Sequence, residues 1–170
     1  WTSLPAGFTS SLQNPVAVTP LVSSTYSVIA TNAAGCTNSG TVAVTVNALP
    51  AISSQPLAPA ATCSGSGTQT LSVGATGTGL TYSWRRAGVA VSNGGAISGQ
   101  GTATLTLTNP TSANAGTYDV VVSGTCTPAV PSGAVTVTVN AAPSISTQPV
   151  APAATCSGSG TQNISVVATG

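Results

Sequence analysis

One block of this chain occurs twice, and that repetition constrains the fold more than any other feature. Residues 51–77, AISSQPLAPAATCSGSGTQTLSVGATG, return at 144–170 as SISTQPVAPAATCSGSGTQNISVVATG, a shift of 93 with 21 of 27 positions identical. The residues just before them match at the same shift: TVAVTVNALP at 41–50 against AVTVTVNAAP at 134–143. A period of 93 residues is too long for one turn of a solenoid and suits a whole β-sandwich. Each repeat can therefore bury a core of its own, with copies following one another along the chain.

Inside the central copy the apolar residues alternate with a period of two, the mark of strands whose successive side chains point to opposite faces of a sheet. The rows are Leu71, Val73 and Ala75; Leu80, Tyr82 and Trp84; Ala103, Leu105 and Leu107; Tyr118, Val120 and Val122; and Val135, Val137 and Val139. Between them lie SGSG, TGTG, SNGG, SGQG and NPTSANAG, compositions that stop strands and make turns. Thr and Val dominate, Gly interrupts often, and no 3.6-residue apolar stripe survives, so helix is not expected. The fold class is all-β, with antiparallel sandwiches in tandem.

The chemistry such a chain can perform is limited by its side chains. It has no His, two Lys or Arg residues in total (Arg85 and Arg86) and one carboxylate, Asp119. General acid–base catalysis needs a second titratable partner, and a serine nucleophile needs a neighbouring base. No catalytic residue is assigned, and the chain is read as non-enzymatic. Metal sites want clustered carboxylates or closely spaced Cys and His, so no metal or other cofactor is expected. Two adjacent arginines cannot form the basic face that nucleic acid requires. They are read as solvated turn-edge residues rather than ligand contacts.

Charged residues make up 2% of the chain, against about 25% in an ordinary soluble domain. Dense Ser, Thr, Asn and Gln, attached glycans or lateral burial of one face could each keep such a surface soluble. No apolar run reaches the roughly 18 residues of a membrane-spanning helix, so membrane insertion is not expected. The chain opens on WTSLPAG, without the basic start and apolar stretch of a signal peptide, and is read as a fragment of something longer. Asn163, Ile164 and Ser165 form a glycosylation sequon, but short sequons arise by chance and Asn163 aligns with Thr70.

The run LTYSW followed by NAGTYDV resembles the immunoglobulin superfamily, in which a core Trp and a Tyr near the start of a later strand are hallmarks. On that resemblance Trp84 takes the Trp position and Tyr118 the tyrosine-corner position, preceded by Asn114 and Gly116. Val73 and Val120 stand where the family's inter-sheet disulfide would be, which implies valine packing on valine. The pattern of residues 1–48 resembles the PKD-like and immunoglobulin-like repeats of secreted surface proteins from gliding-type bacteria with type IX secretion. There Trp1 matches Trp84, Tyr26 matches Tyr118 and Cys36 matches Cys126. Trp84, Tyr118, Val73, Val120 and Tyr26 are thus expected in cores, in preference to a sugar-stacking role for the aromatics.

The resemblance also implies an organisation. Residues 1–48 correspond to the C-terminal strands of one module, 49–140 to a complete module and 141–170 to the first strands of the next, completed by continuation of the chain or by strand exchange between copies. The connectors NALPAISSQP and NAAPSISTQP carry Pro and no acidic residue, which suits a semi-rigid, calcium-independent rod. Cys36, Cys63, Cys126 and Cys156 recur in register with the repeat and are disulfide candidates in an oxidising compartment. In a standard sandwich Cys63 and Cys126 would lie at opposite ends, so a bridge between them competes with bridges between adjoining modules or chains. The implied function is a structural segment of an extracellular or cell-surface bacterial adhesin, stalk or filament. Its partners would be neighbouring modules or neighbouring copies in a fibre, with glycans a further candidate. The competing function is a carbohydrate- or surface-binding module of a secreted enzyme.

Overall fold

The computed structural model describes residues 1–16 and 18–170. At the start of the chain β1 (Thr2–Leu4), β2 (Ser24–Thr31) and β3 (Thr37–Val44) form an antiparallel sheet in that order. The hairpin joining β2 to β3 is closed by Asn32, whose Oδ1 accepts the amides of Ala34 and Cys36. Such a side-chain loop is the local bonding that makes Asn a turn former. Tyr26 on β2 is buried, with the Phe8 ring edge-on at 5.7 Å.

The central repeat supplies β4 (Ala51–Ser54), β5 (Thr62–Cys63), β6 (Thr68–Ser72), β7 (Gly74–Thr76), β8 (Thr81–Arg86), β9 (Val89–Ala90), β10 (Ile97–Ser98), β11 (Thr104–Thr108), β12 (Gly116–Ser123), β13 (Val130–Pro131), β14 (Val135–Val137) and β15 (Val139–Asn140). One layer runs β10–β11–β6, and β4 pairs with β7, which prolongs β6 beyond Val73. The other runs β9–β8–β12, with β13 and β14 on the far side of β12. All these pairings are antiparallel, whereas β5 runs parallel to β15. The stretch from β4 to β5 therefore leaves the first layer and joins the edge of the second.

The pleat decides what fills the space between layers. Along β11 the run TLTLT buries Leu105 and Leu107, and along β12 Tyr118, Val120 and Val122 are buried while their neighbours are not. Leu71, Val73, Trp84, Leu105, Leu107, Tyr118, Val120 and Val137 form one contiguous core. Val73 sits between β6 and β7, its amide donating to the Ala103 carbonyl at 3.0 Å, beside an irregularity where the β4 register skips from Ile52 to Ser54. Leu80 and Ala103, placed in strand rows by their alternation, lie just outside β8 and β11. The NPTSANAG segment holds one turn of 3₁₀ helix, Ser112–Asn114, where the sequence pattern left no helix. It is closed by the Thr111 amide donating to Asn114 Oδ1 at 2.9 Å, a bond local enough to override strand composition.

Pairing registers repeat along the chain. Tyr26 faces Ser3 and Val42, as Tyr118 faces Arg86 and Val135; Val42 and Val135 are one shift of 93 apart. At the other end β16 (Ser144–Thr147) and β17 (Val167–Thr169) pair as β4 and β7 do, with the same skip between Ile145 and Thr147. The environments differ, however. Ile164 and Val166 are 71% and 52% exposed, whereas their equivalents Leu71 and Val73 are buried.

The hairpin from β8 to β9 carries visible strain. Arg86 pairs with Val89, so Ala87 and Gly88 alone make the turn, with φ of 48° and 79°. Positive φ at both positions defines the turn that suits a right-twisted hairpin, and it favours Asn-Gly over Ala-Gly. Ala87→Asn is therefore expected to raise stability by roughly 0.5 kcal/mol, seen as a higher urea midpoint at unchanged slope.

Candidate functional site

Two features outside the apolar core could act on something else: a small charged patch on the β8–β12 face and the junction where the connector meets the central sandwich. In the first, Arg85 and Asp119 are register partners across β8 and β12. Arg85 Nε donates to Asp119 Oδ1 at 3.2 Å and its Nη2 to Oδ2, a two-pronged ion pair. The hydrogen bond to Asp119 raises the Arg85 pKa above its usual value, with desolvation working against it. The arginines were expected at a solvated turn edge. Arg85 is instead paired inside the sheet, because the outward row of β8 meets Asp119 on β12. Arg86 closes the strand, and its Nη1 donates to the Ala113 carbonyl at the 3₁₀ turn.

Tyr118 stands on the inner side of the same strand pair. Its hydroxyl donates to the Asn114 carbonyl at 2.7 Å, four residues back. Burial raises its pKa above the ordinary phenol value, while the charge and hydrogen bonding of Arg86 oppose the shift. A group whose folded pKa is raised gives stability that is complete below its unfolded pKa and is lost as pH rises through the folded one. Urea midpoints are accordingly expected to fall above about pH 10, the unfolded tyrosine value, and to fall less steeply in Tyr118→Phe. Titration of both chains by circular dichroism checks this.

Trp84, like Tyr118, is fully buried, and its Nε1 donates to the Thr102 carbonyl at 2.9 Å. Neither ring is available to stack on a sugar. Val73 and Val120 lie in the same core, whereas Tyr26 belongs to the first sheet, apart from them. There an apolar hollow of about 260 Å³ is bounded by residues that include Trp1, Phe8, Val16, Tyr26 and Val42. The side chains around it are uncharged. Among the described residues there is no cluster of three or more His, Cys, Asp or Glu that could hold a metal ion. No described helix is long and apolar enough to cross a membrane.

The junction is built mainly from backbone. Thr78 donates its amide to the Ala48 carbonyl at 3.2 Å, and the Ala48 amide donates back to Thr78 Oγ1 at 3.0 Å. The Thr125 amide donates to the Thr78 carbonyl at 2.9 Å, tying the loop after β12 to the same point. Pro50 is buried there. Gly77, at φ 142°, lets the chain pass: a Cβ would lie 2.9 Å from the Leu49 carbonyl oxygen and from Pro50 Cα. Cys126 is half-buried at this end, its Sγ donating to the Asn47 carbonyl at 3.6 Å. Cys36, Cys63 and Cys156 are exposed, and all four thiols are free in the structure.

Sequence reasoning passed over Gln69. It is the one buried polar residue of the described core, and its Nε2 donates to the carbonyls of Ala60, at 2.7 Å, and Thr138, at 3.0 Å. The amide thus clasps the crossing segment to the end of the last strand.

No protein-family model matches the chain, and comparison with curated proteins gives no match. Solved structures do resemble it. An I-band fragment of titin superimposes with a TM-score of 0.56 at 14% identity, over 75% of this chain and 45% of that one. The fold is immunoglobulin-like. Extracellular domains 3–5 of Drosophila OTK (TM-score 0.49, 23% identity) are covered over 40% of their length, using 69% of this chain. Immunoglobulin domains 1–5 of Sidekick-1 (TM-score 0.46, 22% identity) are covered over 29%, using 75% of this chain. The chain thus spans less than half the length of these three structures. At such identities the likeness concerns architecture alone. The Tyr118 hydroxyl bonding back to Asn114 has the geometry of a tyrosine corner, and Trp84 is a buried core tryptophan.

Proposed function

We propose that this chain is a load-bearing segment of an extracellular bacterial surface adhesin, stalk or filament, in which immunoglobulin-like sandwiches stand end to end. The observation that carries the proposal is the junction at Ala48 and Thr78, where the connector is hydrogen-bonded into the sandwich that follows it. A connector anchored by backbone bonds and a buried Pro50 passes tension directly into a folded unit, where a free linker would slacken. In this proposal residues 1–48, 49–140 and 141–170 belong to three successive modules, and the repeated strand registers support that division. Ile164 and Val166, exposed and outside any strand, stand at the positions that the central repeat buries as Leu71 and Val73. A chain with so little charged or nucleophilic chemistry suits a mechanical role better than a catalytic one. Kinship with the PKD-like repeats of type IX-secreted proteins is part of the same proposal. The alternative, a sugar-binding accessory module, would need an exposed aromatic platform, and Trp84 and Tyr118 are both buried.

Labelling of intact source cells with an antibody raised against this segment tests the proposal. Surface signal that external protease removes is the expected result. Signal that emerges only after permeabilisation would contradict it.

A further inference from the structure

The two cysteines of the central repeat lie beside the same position of the repeat, one at each of its junctions. Cys63 stands on β5, whose parallel register sets it opposite Asn140, and the Ser64 amide donates to the Asn140 carbonyl at 2.8 Å. Cys126 lies in the loop after β12, and its Sγ donates to the Asn47 carbonyl at 3.6 Å. Asn47 and Asn140 are equivalent, one shift of 93 apart. Cys63 is therefore the register partner of this asparagine in the repeat that the asparagine ends, and a Cys126-type thiol reaches it from the repeat that comes next.

We propose that Cys63 forms a disulfide with the counterpart of Cys126 in the following repeat, stapling each junction across the asparagine that closes the preceding sandwich. Distance permits it. The Ser64-type amide and the Cys126-type sulfur address the same asparagine carbonyl oxygen, at 2.8 and 3.6 Å, so that sulfur lies no farther than the sum of those two lengths from the nitrogen that follows Cys63 in the chain. Bridged Cα atoms stand about 4.4–6.8 Å apart. The carbonyl oxygen has two lone pairs, enough to accept the Ser64-type amide while the thiol approaches. Cys63 and Cys126 of one repeat face different junctions, which explains why they do not pair with each other. The step removes two protons and two electrons from the thiols. An oxidant of the disulfide class, such as glutathione disulfide, takes them up and leaves as two thiols.

The proposal rests on the end-to-end reading above, but its test supplies the junction directly. A chain running 1–140, then 48–140 again, then 141–170 contains one junction that holds both members of the pair. After oxidation by glutathione disulfide it is alkylated in denaturant without reductant, weighed intact and mapped by proteolysis. The expected outcome is two protected cysteines, Cys63 of the first copy joined to Cys126 of the second. Cys63→Ser in the first copy should then free that Cys126 for labelling, while Cys63→Ser in the second copy should leave the bridge intact. Labelling of every cysteine, or a bridge between Cys63 and Cys126 of the same copy, overturns the proposal. Either result leaves the surface-labelling test standing on its own.

Discussion

Trp84→Ala should cost the central sandwich about 3–5 kcal/mol, the range for emptying a fully buried aromatic site. Trp84 has no exposed surface, packs among Leu71, Leu105, Leu107 and Val120, and spends its indole N–H on the Thr102 carbonyl. The substitution removes that bond and leaves a cavity that two facing sheets cannot collapse into without breaking their pairing. At about 4–8 °C per kcal/mol for a domain of this size, the melting temperature should fall by more than about 12 °C. Trp84→Phe should lose markedly less, because the ring remains and only the outer part of the indole with its donor is gone. Urea denaturation followed by circular dichroism measures both. A loss below about 1 kcal/mol for Trp84→Ala would mean that the core described here does not hold the sandwich together.

The second large effect separates two copies of one motif. Gln69→Ala is expected to cost about 1–3 kcal/mol, since two carbonyls on distant segments, Ala60 and Thr138, lose their shared donor. The cost is moderated because Gln69 Oε1 is itself buried without a partner, so removing it recovers part of its desolvation penalty. Gln162→Ala should cost under about 0.5 kcal/mol in the same chain. Gln162 makes the equivalent bond to the Ala153 carbonyl at 2.9 Å, but it is exposed, and its second bond goes to the neighbouring Thr155 Oγ1 rather than to a distant strand. Equal losses from the two substitutions would show that the motif acts locally and that Gln69 does not clasp the two layers.

The sequence made the sandwich legible because its dominant signals are local or periodic. Alternation marks Leu105, Leu107, Tyr118, Val120, Val122 and Val137, all of them buried, because a pleated strand turns every second side chain inward. The 93-residue shift reappears in space as matched strand registers, since identical sequence makes identical local pairings. Gln69 was illegible for the opposite reason. A glutamine between threonines reads as surface, and it is buried only because acceptors 9 and 69 residues away meet its amide. The parallel pairing of β5 with β15 depends on the same long-range closure. Arg85 looked like a solvated charge because nothing near it in sequence could pair with it. Asp119, 34 residues on, is its partner only through the β8–β12 register. The two cysteine positions were visible as repeating features, while their convergence on equivalent asparagines needed the junction in three dimensions.

The measurement that tests the account most directly is single-molecule stretching of the chain from its two ends. If the central repeat is a closed sandwich that carries load, it should give one cooperative rupture releasing about 30 nm. That is the length of 93 extended residues, at roughly 3.3–3.6 Å each, less the span of the folded unit. Smooth extension with no rupture, or a release of only a few nanometres, would contradict it.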